Sequence, residues 1–348
     1  MTAGPPRVER SRTHADQAGP DSHVPGAAAV EARGLTKLFG SNRAVDAIDL
    51  TVMEGEIFGV LGPNGAGKTT MLDMLATLLP IDGGEARIFG YDVRSRGHAV
   101  RQLIGVTGQF ASVDENLTGA ENLWMFGRLQ GLSSKRAHGI ADDLLAQFDL
   151  TEAAHRPISQ FSGGMRRRLD LAASLITRPA LIFLDEPTTG LDPRNRSQMW
   201  DTIRHLVAEG STILLTTQYL DEADALAGRI AVIDRGRKVA EGTPEQLKTQ
   251  IGTSSLRVQM ADPGDTAAAV ALAADLTGES PEVPPAGSGF SVTLNDANRA
   301  ADVLVALRHH RLDIASATVE QPSLDDVFFA LTGHTSRPPA SEIEASTP

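Results

Sequence analysis

Short apolar runs alternate with amphipathic stretches along most of the chain, a pattern of strands feeding helices. EIFGVLGP (residues 56–63) is almost continuously apolar. It leads through a glycine loop into KTTMLDMLATLL (68–79), where apolar residues recur at helical spacing. ALIFLDE (180–186), TILLTT (212–217) and RIAVIDRG (229–236) are further short apolar runs, with helical segments between them. Strands that are apolar on both faces and joined by helices belong to a mixed or parallel sheet covered on both sides, so the expected class is α/β. A mostly helical stretch, about residues 116–178, interrupts the alternation. Its entry LTGAENL sets Thr118 and Glu121 at capping-box spacing. EGTPEQL offers Thr243 as an N-cap with Pro244 and Gln246 behind it, which starts another helix. The large domain is placed at residues 29–252. Residues 255–333 then repeat strand and helix three times: SLRVQM, DTAAAVALAADL, GFSVTL, ANRAADVLVALRHH, IASATVE and SLDDVFFAL. They read as a small α+β domain. Residues 1–28 and 334–348 read by composition as flexible tails.

The chain has 348 residues, of which 41% are hydrophobic and 22% charged, as in a globular protein with a sizeable core. Its net charge is −12 and its pI about 5.2. Between residues 251 and 332 there are four basic and eleven acidic residues. Like charges repel, so nucleic acid is not an expected partner. The absence of cysteine excludes disulfides and thiolate metal sites. The N-terminus lacks the apolar core of a signal peptide, and no apolar run approaches the roughly 20 residues of a membrane span. Any role at a membrane therefore needs a partner.

GPNGAGKT fits G-x-x-x-x-G-K-[ST] directly after an apolar strand and at the opening of a helix, the context this motif requires. Its residues Gly62, Pro63, Asn64, Gly65, Ala66 and Gly67, with Thr70 beyond, are candidate nucleotide contacts. Glycines let backbone N–H groups converge on phosphate oxygens, and the helix N-terminus adds partial positive charge. Lys68 reaches the β- and γ-phosphates, and the Thr69 hydroxyl is a candidate Mg²⁺ ligand. LIFLDEP (181–187) supplies a strand that ends in Asp185 at the carboxyl edge of the sheet, where open α/β sheets bind ligands. Asp185 suits the Mg²⁺ shell, and Glu186 suits general-base work on a water. ATP and Mg²⁺ are thus the expected cofactors of a P-loop NTPase core.

FSGGMRRRLDLA (161–172) lies shortly before Asp185. Ser162 is a good N-cap for a helix from about Met165 toward Arg178, and Ser-Gly-Gly at a helix start is an anion-binding terminus. The phosphate loop already cradles a nucleotide in its own chain. This second set of donors makes best sense when presented to another subunit's nucleotide. The three consecutive arginines spread by about 100° each around a helix. They are expected to form a solvated or salt-bridged face.

The phosphate loop, FSGGM and LIFLDEP in this order resemble the ABC-type ATP-binding subunits over about residues 30–250. The resemblance implies a head-to-tail homodimer with two ATP molecules at its interface, in which Ser162, Gly163 and Gly164 contact the γ-phosphate held by the other subunit. Met165 stands where the family's signature has glutamine. Phe39, in LTKLFG, matches the aromatic that stacks on adenine; the alternative is a core residue. Gln109, in VTGQFASV, matches the glutamine that senses Mg²⁺ and the attacking water. Asp192, in TTGLDP, matches the loop that crosses the dimer interface. Gln218, in LLTTQYLDEAD, replaces the usual histidine at the γ-phosphate. Glutamine does not titrate near pH 7, which implies a positioning role and slower hydrolysis. RIAVIDRGRKVAEGTPEQLK and the ending PSLDDVFFALTG are similar to the daunorubicin/doxorubicin-resistance branch of drug-export subunits. The implied protein is an ATPase on the cytoplasmic side of the cell membrane, docked on a separate integral-membrane permease. The rival readings are a soluble ABC-type ATPase acting on nucleic acid or ribosomes, and a simple phosphotransferase. The C-terminal appendage is either a packing or a regulatory element.

Overall fold

A computed structural model describes residues 27–108, 113–251, 254–284, 288–294, 298–320, 323–324 and 327–328. The chain begins with an antiparallel hairpin, β1 (Ala28–Phe39) and β2 (Asn42–Met53). It then forms β3 (Ile57–Leu61), β4 (Gly83–Ile88), β5 (Tyr91–Asp92), β6 (Ile104–Thr107), β7 (Leu181–Asp185), β8 (Thr212–Thr217), β9 (Arg229–Asp234) and β10 (Arg237–Gly242). Two sheets result. One has the order β10-β9-β3-β8-β7-β6, parallel except for the β10 edge. The other is antiparallel, β2-β1-β4-β5. In the first, β3, β7 and β8 are buried at every position, which is why their sequences carry no polar alternation.

Helices fill the space between and beside the sheets. α1 (Lys68–Leu75) is sandwiched: Met71, Leu72 and Leu75 join Val30, Leu35 and Ile48 from one sheet and Phe58, Phe183 and Leu214 from the other in one core. α2 (Gly97–Leu103) leads into β6. On the other face, α3 (Gly119–Leu129), α4 (Ser134–Gln147) and α5 (Gly163–Ser174) pack with Ile182, Leu184, Ile213 and Leu215. α6 (Pro193–Ala208) and α7 (Leu220–Leu226) complete that layer, and α8 (Pro244–Ile251) follows β10. Both expected capping boxes form. Thr118 and Glu121 bond reciprocally at α3. At α8, Thr243 N donates to Gln246 Oε1 at 3.0 Å and Gln246 N to Thr243 Oγ1 at 3.2 Å. α5 starts two residues earlier than the sequence implied, at Gly163, and stops at Ser174 rather than running to Arg178.

The remaining chain forms β11 (Ser254–Met260), α9 (Thr266–Thr277), β12 (Gly289–Leu294), α10 (Arg299–His309) and β13 (Ile314–Glu320), in the element order read from the sequence. Its antiparallel sheet, β12-β11-β13, has its own core of Leu256, Val258, Phe290 and Val303. Leu324 and Val327 then return to the large sheet and are buried with Leu61, Ile230, Val232 and Leu247.

Candidate active site

The loop between β3 and α1 is shaped by glycine. Gly65 and Gly67 have φ of 80° and 101°, which side-chain-bearing residues rarely adopt. A Cβ at Gly67 would lie 2.2 Å from the Ala44 carbonyl oxygen, and one at Gly62 2.3 Å from that of Ile233. Ala66 is buried, Pro63 half-buried, and Asn64 and Gly65 exposed at the rim. Lys68, the first residue of α1, is 4% exposed, and its Nζ donates to the carbonyls of Gly62 (2.9 Å) and Pro63 (3.1 Å). Burial pushes its ammonium below the usual lysine range, while the charges of Glu186 and Asp185 oppose that shift.

Two carboxylates meet this loop from the end of β7. Asp185 is 3% exposed and accepts from Thr69 Oγ1 at 2.9 and 3.2 Å and from the Thr216 hydroxyl on β8. Glu186 is also buried. Its Oε1 lies 3.5 Å from Lys68 Nζ, its Oε2 accepts from Thr189 Oγ1 at 3.1 Å, and its N–H donates to the Thr216 carbonyl at 3.0 Å. A hydroxyl and a carboxylate in contact at a helix start form an oxygen donor set of the kind that suits Mg²⁺.

A cavity of about 510 Å³ opens above the loop. Its walls include Phe39, Asn64, Gly65, Gly67, Lys68, Thr69, Thr70 and Glu186, so the predicted phosphate and adenine contacts share one space. Phe39 is 49% exposed and therefore not a core residue; Lys37 Nζ sits 5.5 Å from its ring centre. Asn42, Arg43, Ala44, Arg235 and Gly236 also line the cavity, and sequence reasoning missed them. They come from the start of β2 and from the β9–β10 turn. Gly236 ties these to the loop: its N–H donates to Ala66 O at 2.9 Å and its carbonyl accepts from Asp46 N at 2.8 Å. A slightly larger cavity, about 540 Å³, lies between α4 and α6 and carries no phosphate-binding loop.

Ser162, Gly163, Gly164, Asp192 and Gln218 are not among the cavity-lining residues. Ser162 caps α5, its Oγ accepting from Met165 N at 3.3 Å, and Gly163 is exposed with nothing near its missing Cβ. Asp192 caps α6 and accepts from Asn195 N at 2.9 Å, which holds its carboxyl below the usual range. The Asn195 side chain lies against Gly164, where a Cβ would come within 2.6 Å of Oδ1. The two helix starts are therefore packed together. Gln218 is half-buried directly after β8. Gln109 falls outside the described residues. The arginine run departs from expectation. Arg166 does pair outward, with Glu115 at 2.9 Å, but the side chain of Arg167 is only 12% exposed and turns inward onto the backbone around Asp185. A helix spreads consecutive residues around its axis, so one of three arginines met the core.

The sequence matches the ABC transporter family over residues 45–189, and the C-terminal domain of DrrA1-3-like ATP-binding proteins over residues 242–332. It is 52% identical to the daunorubicin/doxorubicin resistance ATP-binding protein DrrA of Streptomyces peucetius, across 88% of this chain and 93% of that one. Nod factor export ATP-binding protein I of Burkholderia lata is 43% identical across 72% of this chain and 84% of its own. A solved dimeric ATP-binding cassette in a post-hydrolysis state, bound to ADP and phosphate, matches with a TM-score of 0.57 and 25% identity. That match covers 62% of this chain and 98% of that one.

Proposed function

The chain belongs to the ATP-binding subunits of ABC transporters, of the daunorubicin/doxorubicin-resistance type, and on that premise we propose that it hydrolyses ATP to drive export of a drug, antibiotic or other amphipathic compound through a separate membrane permease. The observation that carries this reading is the joint placement of Lys68, Thr69, Asp185 and Glu186 beneath one cavity. Lys68 and the loop N–H groups bind the phosphates. Thr69 and Asp185, with Gln109, are the residues to hold Mg²⁺, which when bound neutralises charge on the phosphates. Glu186 takes the proton of the attacking water. Phe39 stacks on adenine, and Gln218 positions the γ-phosphate side of the site. Ser162, Gly163 and Gly164 complete the partner subunit's site in a head-to-tail homodimer, and Asp192 lies at the same interface. The subunit docks on the cytoplasmic face of the permease; no helix among the described residues is long and apolar enough to cross a membrane.

The test is purification of the tagged chain from detergent-solubilised membranes of its native host. Recovery with a stoichiometric polytopic membrane protein, and ATPase activity stimulated by amphipathic drugs, is the expected result. Recovery only in the soluble fraction, or with ribosomes or DNA, would overturn the transporter reading and favour the soluble ATPase.

A further inference from the structure

Arg167 is the second of three consecutive arginines, and its surroundings differ from those of its neighbours. Arginine offers five N–H donors in a planar fork. Here four backbone carbonyls take four of them. Nη1 donates to Gly108 O at 2.7 Å, Nε to Pro187 O at 3.0 Å, and Nη2 to Asp185 O at 2.8 Å and Glu186 O at 2.9 Å. Asp170, one turn along α5 and 4% exposed, puts a carboxylate oxygen 3.9 Å from Nη1 and supplies countercharge. The guanidinium therefore joins three segments: the helix headed by Ser162-Gly163-Gly164, the end of β6 next to Gln109, and the turn that carries both carboxylates.

That turn needs holding. Glu186 has φ of 48°, a left-handed conformation that residues other than glycine rarely adopt, and it persists only where the surroundings fix it. The carbonyls of residues 185, 186 and 187 all accept from the one fork, an arrangement that fixes the backbone on both sides of the Glu186 Cα. A lysine ammonium at this position has a single nitrogen and does not reproduce it. Arg166, by contrast, donates to Glu115 and to the Ser159 carbonyl, neither of which belongs to β6 or to the turn that carries the carboxylates.

We propose that Arg167 is a positioning residue for hydrolysis, holding the Glu186 carboxylate in its working orientation. The proposal rests on the reading of Glu186 as the base. A base displaced by about 1 Å loses on the order of 10²-fold in rate.

The test uses the full-length chain with Arg167→Lys, Arg167→Met and Glu186→Gln, turnover being expressed per ATP-binding site titrated with labelled ATP. Arg167→Lys is expected to lower this turnover about tenfold and Arg167→Met about 10²-fold, while the ATP Kd stays within about twofold of the parent. A contact that serves folding alone would reduce the number of binding sites and leave turnover per site unchanged. Turnover per site within about twofold of the parent, in either variant that binds ATP, overturns the proposal. If Arg167→Met fails to fold, Arg167→Lys decides. Full turnover in Glu186→Gln would remove the base itself, and the proposal with it; a dead Glu186→Gln beside a fully active Arg167→Lys would sink the clamp alone.

Discussion

Gly163→Ala separates what the signature turn does for its own chain from what it does for a partner. Within the chain the change is benign. Gly163 is exposed, it is the first residue of α5, its φ lies outside the left-handed region, and an added Cβ meets no atom within 4 Å. Alanine in a conformation it tolerates restricts the unfolded chain, a gain of about 0.4–1 kcal/mol. For a chain of this size that is a rise in melting temperature of roughly 1–3 °C. In the proposed head-to-tail dimer the same methyl is obstructive, because that reading puts it where backbone N–H groups must reach the partner's phosphate. Loss of one charge-assisted hydrogen bond costs about 1.5–3 kcal/mol, or roughly 10- to 100-fold in turnover. The assays are thermal melting without nucleotide, steady-state ATPase, and light scattering for ATP-driven dimerisation in a Glu186→Gln background. Higher melting temperature with lower turnover and impaired dimerisation is expected. Parental turnover and dimerisation would refute a contact in trans at Gly163. A lower melting temperature would refute the reading of the open space around it.

Three further outcomes follow from the same geometry. Glu186→Gln should cut steady-state turnover by about 10²- to 10⁴-fold, whereas Gln218→Ala removes one uncharged hydrogen-bonding group and should cost only about tenfold; equal residual rates would refute that ordering. Phe39→Ala should weaken ATP binding by roughly 10- to 100-fold in fluorescence titrations, and Phe39→Tyr should not, since stacking needs a ring and no hydroxyl. Glu222 is fully buried on α7, and burial is the main reason its carboxyl lies above the usual range, despite the nearby Thr217, Thr188 and Trp200 groups. A raised folded-state pKa favours folding below the unfolded value, near 4.5, and that contribution is lost as pH rises through the folded value. The melting-temperature advantage of Glu222→Gln over the parent should therefore grow between pH 5 and pH 8, and a constant or shrinking difference would overturn it.

What the sequence made legible was what local chemistry alone requires. The loop between β3 and α1 needs glycine at Gly62 and Gly67 because other backbone crowds them, and the helix caps at Thr118 and Thr243 are satisfied within four residues of chain. The fully buried strands advertised themselves as unbroken apolar runs. The antiparallel β2-β1-β4-β5 sheet went unread because its strands mix buried and exposed positions with register shifts, which blurs a period of two. Arg43, Arg235 and Gly236 reach the cavity only because the start of β2 and the distant β9–β10 turn meet at Asp46 and Ala66. Arg167 was read outward because a charged side chain is rarely buried unless paired. The carbonyls that pair it lie up to fifty-nine residues away and are collected only by the fold.

The adjacent carboxylates raise a geometric question that the strand period sharpens. Consecutive residues of a strand point to opposite faces, so an Asp-Glu pair at a strand end should divide between the two sides of the sheet. Here both meet the start of α1. Asp185 is the last strand residue and meets Thr69 on α1. At Glu186 the chain leaves the strand with φ of 48°, and its carboxylate comes to Lys68, the neighbour of Thr69. The left-handed residue is what converts strand alternation into convergence. It also separates the partners: among the described residues only hydroxyls bond the Asp185 carboxylate, while Glu186 has an ammonium and one hydroxyl. Two identical functional groups thus acquire different chemistry from one backbone torsion. A substitution that relaxes this torsion should cost turnover even where every side chain named in the site is left in place.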